Sequence, residues 1–364
     1  MAAIPEEPVM SVAAGLFAIF ALVLILPFKV KKVEQNLEPF FLIMGVAAVT
    51  ISGLWNLELI EEAVKAPVIT AGIPLGIFQV VLVAGLLIHY FDRPFYEGIT
   101  LLARRLGPRV FIFVIITLLG LCSSVISVIV TAVILAEVVV ALPFQRNEKT
   151  KITVIACFAL GLGAALTPVG EPLSTIVVHK LAGPPYNADF FFLFMLLGIY
   201  ICIGIISLAI FAAEYVGKKA SVEAAESQRR SAETVRNIAL RAVKVYLFVG
   251  ALVLLGTGLT PLIIWYFSKV PAHTLYWVNI VSAVVDNATL AAAEIGPTLS
   301  VVQIKSALMG LLVAGGMLVP GNIPNIVAAA RLKITMKEWA SFGVPLGLVL
   351  MVAYFVALAP LYFS

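Results

Sequence analysis

Residues 152–180 read ITVIACFALGLGAALTPVGEPLSTIVVHK. Both flanks are apolar enough for hydrocarbon, but Thr167-Pro168-Val169-Gly170-Glu171-Pro172 interrupts them. Two prolines and a glycine within six residues remove or weaken helical hydrogen bonds, so the stretch predicts a helix broken in its middle. A second interruption, Pro320-Gly321-Asn322-Ile323-Pro324-Asn325, lies within residues 303–330. Setting GAALTPVGEP (163–172) against GGMLVPGNIP (315–324) without a gap makes one glycine, one leucine and both prolines coincide.

Each break follows a second unusual segment. Residues 110–142 stay apolar for 33 residues, with Ser123, Ser124 and Ser127 near the centre. One helical crossing takes about 20 residues, so this length is too great for one and too small for two. A re-entrant hairpin of two half-helices fits it. Residues 274–302 are likewise apolar around a central Asp286-Asn287. Hairpin followed by broken helix thus occurs twice, as an internal repeat.

Working outward, six further segments read as full spans: 11–28, 39–56, 67–91, 188–213, 245–267 and 340–362. The composition agrees. Hydrophobic residues make up 62% of the 364 and charged residues 12%, where soluble domains carry roughly 25% charged residues; mean hydropathy is +1.09. The bilayer is then the solvent. Continuous apolar runs without strict alternation predict helices rather than barrel strands. The fold class expected is an all-α polytopic membrane protein.

The net charge of +4 comes from basic residues scattered among loops, which excludes a nucleic-acid footprint and indicates topology. The first apolar run follows Glu6 and Glu7 and ends at Lys29, Lys31 and Lys32, so it reads as a retained helix with its N-terminus outside. With that start and with hairpins at 110–142 and 274–302, the loops 29–38, 92–109, 143–151, 214–244 and 331–339 share the inner side and hold 20 of the 24 Lys and Arg. A single crossing at 110–142 would put Arg146, Lys149 and Lys151 outside, against the positive-inside rule. The organisation expected is N-terminal helices over 1–66, a first repeat over 67–213, a cytoplasmic linker over 214–244 and a second repeat over 245–364. The two repeats are inverted relative to each other, an architecture of secondary transporters. The expected location is a prokaryotic inner membrane.

An ionisable group at the bilayer centre costs at least about 2.5 kcal/mol, so each one needs a reason. Glu137, Glu171, Asp286 and Glu294 lie inside apolar segments. Glu171 sits in unwound helix, where freed carbonyls and a carboxylate replace a cation's hydration shell. Asp286, with Asn287, sits at the tip of the second hairpin and by inverted symmetry approaches the same midplane site. The alternative for Asp286 is a helix cap. These two carboxylates are the expected Na⁺ ligands. Gly170, Thr167, Ser123, Ser124, Asn322 and Asn325 supply neutral groups near the same breaks, as further ligands or as caps of the half-helices. Glu137, near the basic inner loop, and Glu294, near the outer end of its arm, are expected to be solvated. His89 and His179 lie near helix ends, as interfacial residues do. Cys122, Cys157 and Cys202 lack metal-ligand spacing and read as small buried hydrophobes.

Val281-Ser-Ala-Val-Val-Asp286-Asn287-Ala-Thr, followed by Ala314-Gly-Gly-Met-Leu, resembles the second-repeat signature of NhaD-type Na⁺/H⁺ antiporters in the ion transporter superfamily. Thr167-Pro-Val-Gly-Glu171 is similar to the Thr-Pro-Ile-Gly-Asp element of the first repeat, with Glu in place of Asp. The resemblance covers roughly 110–180 and 274–330 and is nearest to a group of prokaryotic proteins described only as cation transporters. It implies sodium and proton binding at Asp286, Asn287 and Glu171, and homodimers as in many superfamily relatives. One departure stands out: the family's first hairpin carries its own Asp-Asn, and here Ser123-Ser124 is read in that place.

The leading expectation is a secondary active transporter, not an enzyme, that exchanges Na⁺ or Li⁺ for H⁺ by alternating access and needs no cofactor. One carboxylate holds either a cation or a proton, and the two compete. The alternative is a cation-coupled importer of a dicarboxylate or inorganic anion. Against it, the Ser-Asn-Thr tips of dicarboxylate carriers are missing and no Arg or Lys is read near the breaks, although half-helix N-termini alone can receive an anion. Neither His-Glu-x-x-His nor Gly-x-Ser-x-Gly is present to suggest an intramembrane enzyme.

Overall fold

A computed structural model describes residues 4–5, 7–34, 36–69, 76–142, 144–216, 234–266, 270–285 and 287–362. All regular structure among them is helical. Helices Met10–Lys29 (α1), Lys31–Glu34 (α2), Leu37–Ser52 (α3) and Leu57–Lys65 (α4) precede Ile77–Tyr90 (α5) and Asp92–Leu106 (α6). The first hairpin and broken helix are Pro108–Ile126 (α7), Val128–Ala141 (α8), Arg146–Ala164 (α9) and Pro172–Lys180 (α10), followed by Phe192–Tyr215 (α11). Val235–Tyr266 (α12) leads to the second set: Ala272–Val278 (α13), continued as a 3₁₀ turn to Ala283, then Asn287–Glu294 (α14), Val301–Gly315 (α15), Ile323–Leu332 (α16) and Met336–Tyr362 (α17). Five of these helices, α1, α7, α11, α12 and α17, are long and apolar enough to cross a bilayer. The chain is an all-α polytopic membrane protein.

Both breaks fall where the prolines predict. Helix α9 stops at Ala164 and α10 starts at Pro172; α15 stops at Gly315 and α16 starts at Ile323. Pro172 and Pro324 each lie in the first turn of the new half-helix, where the missing N–H costs nothing. The helices that lead into the breaks are the most deeply buried, with α9 buried from Ile152 through Ala164 and α15 from Ser306 through Gly315. Their glycines and alanines allow the close backbone approach on which helix packing in lipid depends.

Packing partners exchange between the halves. Half-helix α16 lies against α8, the second arm of the first hairpin, and α10 lies against α14, the second arm of the second hairpin. Helices α7 and α9 pack together, as α13 and α15 do, and α9 meets α15. Outside this body, α3 packs along α12, with Gly45 against Ala251 and Leu254 and Ala48 against Gly258.

Three expectations change. The first hairpin is unequal: α7 has 19 residues and α8 has 14, with the turn at Ser127, φ 98°. Helix α12 begins at Val235, so the last part of the segment read as linker is helix, and Arg241 in it is buried. In the segment read as a span over 67–91, residues 67–69 are not helical and α5 covers Ile77–Tyr90, while 70–75 lie outside the described residues.

Candidate functional site

A cavity of about 140 Å³ opens where both units meet. Glu171, Asn287 and Asn322 supply its polar wall, and Ile129, Val249 and Ile326 part of its apolar wall. All three polar residues were singled out from the sequence, and all three are buried. Asp286, expected beside Asn287, lies outside the described residues.

Four half-helices begin on this cavity. Ile129 is in the first turn of α8, Pro172 is the first residue of α10, Asn287 of α14 and Ile323 of α16. Each N-terminus carries roughly half a positive charge and unsatisfied N–H groups. Glu171 precedes α10 with extended backbone (φ −154°, ψ 162°), and its carboxylate makes no capping bond to that helix. The partial positive charges therefore offset part of the cost of burying an acidic side chain, which is why the carboxylate is tolerated at a break.

Asn287 is held by a network. Ser282 Oγ donates to Leu311 O at 3.0 Å. With its proton used there, Ser282 accepts from the Asn287 amide nitrogen, which also lies 3.3 Å from Leu311 O and from Gly321 O. The Asn287 carbonyl oxygen takes part in none of these contacts. A Cβ on Gly315 would sit 2.7 Å from the Asn287 side chain, so glycine there keeps room for the amide. Gly161 does the same for Asn322, whose amide a side chain at that position would strike. Asn322 Oδ1 accepts from Ile323 N at 2.8 Å and so caps α16.

The remaining predicted residues hold the breaks in shape. Thr167 Oγ1 donates to Ser124 O. Ser124 Oγ donates to Leu121 O at 2.7 Å, and Ser123 Oγ lies between Gly120 O at 2.6 Å and Leu160 O at 3.0 Å. Gly170 O accepts from Val128 N at 2.9 Å, tying the first break to the hairpin turn. Asn325 Nδ2 bridges Gly315 O and Leu318 O, both at 2.8 Å. None of these five residues lines the cavity.

The register of the repeat also shifts. Ser123 meets Leu160 O as Ser282 meets Leu311 O, so Ser123 corresponds to Ser282. Ser127 and Val128, not Ser123 and Ser124, then occupy the place of Asp286 and Asn287. The first hairpin's turn therefore has a hydroxyl, with φ 98° at Ser127, at the position where the sequence of the second has Asp286.

Two acidic residues expected to be solvated are buried. Glu137 is 2% exposed; it accepts from Arg331 Nε at 2.5 Å and Nη2 at 2.8 Å, with Arg241 Nη1 3.7 Å away. Glu294 Oε2 accepts from Asn279 Nδ2 at 3.0 Å, and Asn279 also donates to Ala307 O. Sequence reading missed Arg241 and Arg331 because both fall in segments counted as basic loops. Arg331 follows α16's apolar face by a single turn, and that was the available signal. Cys157 is buried and Cys122 and Cys202 are half-buried, all as free thiols.

The fold and the cavity define a polytopic membrane protein with two matching units that share a buried polar site. A family model described as protein of unknown function, DUF1646, matches residues 13–361, and the chain belongs to that family. A comparison with curated proteins gives no match.

Proposed function

We propose that the chain is a secondary active transporter in which Glu171, with the amides of Asn287 and Asn322, binds a monovalent cation in competition with a proton. The observation that carries this reading is the lining of one cavity by these three side chains, drawn from both units and each at the N-terminus of a half-helix. A buried carboxylate surrounded by amide oxygens and helix ends suits an ion of sodium's size. Cation and proton cannot both neutralise one carboxylate, and that exclusion couples their movements when the site alternates between the two faces. Asp286 adds a second carboxylate to this reading from the sequence alone. The count of basic residues orients the protein with its N-terminus outside and residues 214–244 in the cytoplasm.

A second reading, cation-coupled uptake of an anion, is favoured by the four half-helix N-termini on the cavity and by a volume of about 140 Å³, more than a bare monovalent cation fills.

One experiment separates them. The protein is reconstituted in liposomes holding a pH-sensitive dye, a proton gradient is imposed, and Na⁺, Li⁺, K⁺ or Ca²⁺ is added outside. Exchange predicts dissipation by Na⁺ or Li⁺ that is lost in Asp286→Asn and in Glu171→Gln. Silence to every cation, with uptake of a labelled dicarboxylate or oxyanion, overturns the antiport reading in favour of the second.

A further inference from the structure

A second, much smaller space lies behind the first along the same helices. Ile77 and Ile129 wall the candidate cavity. One turn farther along α5 and α8, Val81 and Val133 join Val327 of α16 around a space of about 10 Å³, room for one water. Glu137, Arg241 and Arg331 complete its wall. Beyond it α8 ends at Ala141 and α16 at Leu332, close in sequence to the basic residues Arg146, Lys149, Lys333 and Lys337.

The three charges come from three helices. Glu137 is on α8 of the first unit, Arg331 on α16 of the second and Arg241 on α12. A buried ion pair is a poor way to gain stability, because apolar residues of the same volume do as well or better. It does give a contact that is either fully made or broken. Here the bidentate bond between Arg331 and Glu137 fastens α16 to α8 across the small space next to the candidate cavity.

The other unit has a weaker counterpart at the same corner. Lys180, in the last turn of α10, reaches Ala292 O and Ile295 O at the end of α14. Lys180 thus stands to α14 as Arg331 stands to α8. Its partners, however, are carbonyls rather than a carboxylate, and the lysine is exposed.

We infer that Glu137, Arg331 and Arg241 form a gate that closes the candidate cavity towards the basic end of the molecule and opens when α8 and α16 part. The inference rests on the transport reading for its purpose, but the barrier can be measured without transport.

The test is cysteine accessibility in the full-length chain. In a background carrying Cys122→Ala, Cys157→Ala and Cys202→Ala, Val253→Cys places a thiol on the cavity wall. Lys337→Cys, in a separate chain, marks the basic face. A membrane-impermeant maleimide is applied to that face in oriented vesicles. The gate predicts slow labelling at position 253 in the parent and labelling at least tenfold faster in Glu137→Gln, with Glu137→Arg combined with Arg331→Glu returning to the parent's rate. Unchanged labelling in Glu137→Gln overturns the gate. Should Glu137→Gln fail to fold, the charge-swapped pair decides: protection equal to the parent's supports the gate, and fast labelling in a folded protein overturns it. Absence of transport in the liposome assay leaves these outcomes readable, so failure of the gate and failure of the transport reading are distinct results.

Discussion

Glu171 and Asn322 occupy the same place in the two units. Each is the residue before a half-helix, with φ and ψ of −154° and 162° for Glu171 and −155° and 150° for Asn322, and both side chains line one cavity. The backbone is matched and the charge is not. A twofold-related pair of breaks therefore presents one carboxylate and one amide, which sets the ionic character of the site.

Replacing that carboxylate is the most direct perturbation. Glu171→Gln keeps the shape and removes the charge, so the cation-evoked pH response is expected to fall by about 10- to 100-fold, the range set by one charged hydrogen-bonding group. Helicity and thermal stability in detergent should stay close to the parent's, since the side chain does not cap α10. A full pH response in Glu171→Gln would remove this residue from the binding step.

Asn287 is tested through its neighbour. In Gly315→Ala the new methyl would lie 2.7 Å from the Asn287 amide, which must then leave Ser282 and the carbonyls of Leu311 and Gly321. Transport should drop although no lining residue has changed. Asn287→Ala should also lower stability by about 1–3 kcal/mol, the cost of buried partners left unpaired. Thermal unfolding of both variants in one detergent, beside their liposome activity, checks this; a Gly315→Ala protein with parental activity would contradict the network.

The ion cluster separates stability from gating. Arg331→Gln leaves Glu137 buried opposite Arg241 alone and is expected to cost about 3–5 kcal/mol. Glu137→Leu combined with Arg331→Met replaces the pair with apolar bulk and should be far closer to neutral. Denaturation midpoints of the two would test this order, and equal losses in both would mean that the charges carry no burial penalty here.

The sequence made the membrane class legible because 62% hydrophobic content leaves no soluble alternative, and the breaks legible because proline and glycine act locally. Glu171 and Asn322 are legible for the same reason, since each lies at a break, and Asn287 because it lies with Asp286 in the middle of an apolar hairpin segment. What sequence could not supply was direction. Thr167, Ser123, Ser124 and Asn325 have the same chemistry as ligands, and only the fold shows their polar groups bonded to backbone carbonyls. The proline-to-proline alignment also slips by one residue, since Ala164 corresponds to Gly315 as the end of its helix and Glu171 to Asn322 as the start of the next. Prolines sit at slightly different depths in their first turns, whereas helix ends are fixed by packing. Arg241 and Arg331 were hidden because a positive residue near a membrane surface is by default a topology signal.

The division between ligands and scaffold has its own consequence. Ser123 spends its hydroxyl on Gly120 O and Leu160 O, within the first unit and away from the lining of the cavity. Ser123→Ala should therefore lower stability by about 1 kcal/mol, the net value of one hydrogen bond, and leave the ion response within about twofold of the parent, a shift smaller than RT. Ser282 makes the equivalent bond to Leu311 O but also holds Asn287. Ser282→Ala should therefore lose activity as well as stability. Measured side by side, the two substitutions remove the same bond from matching positions, so a difference confined to activity in Ser282→Ala assigns the working hairpin tip to the second unit, and equal activity in both would mean that Asn287 does not depend on its serine.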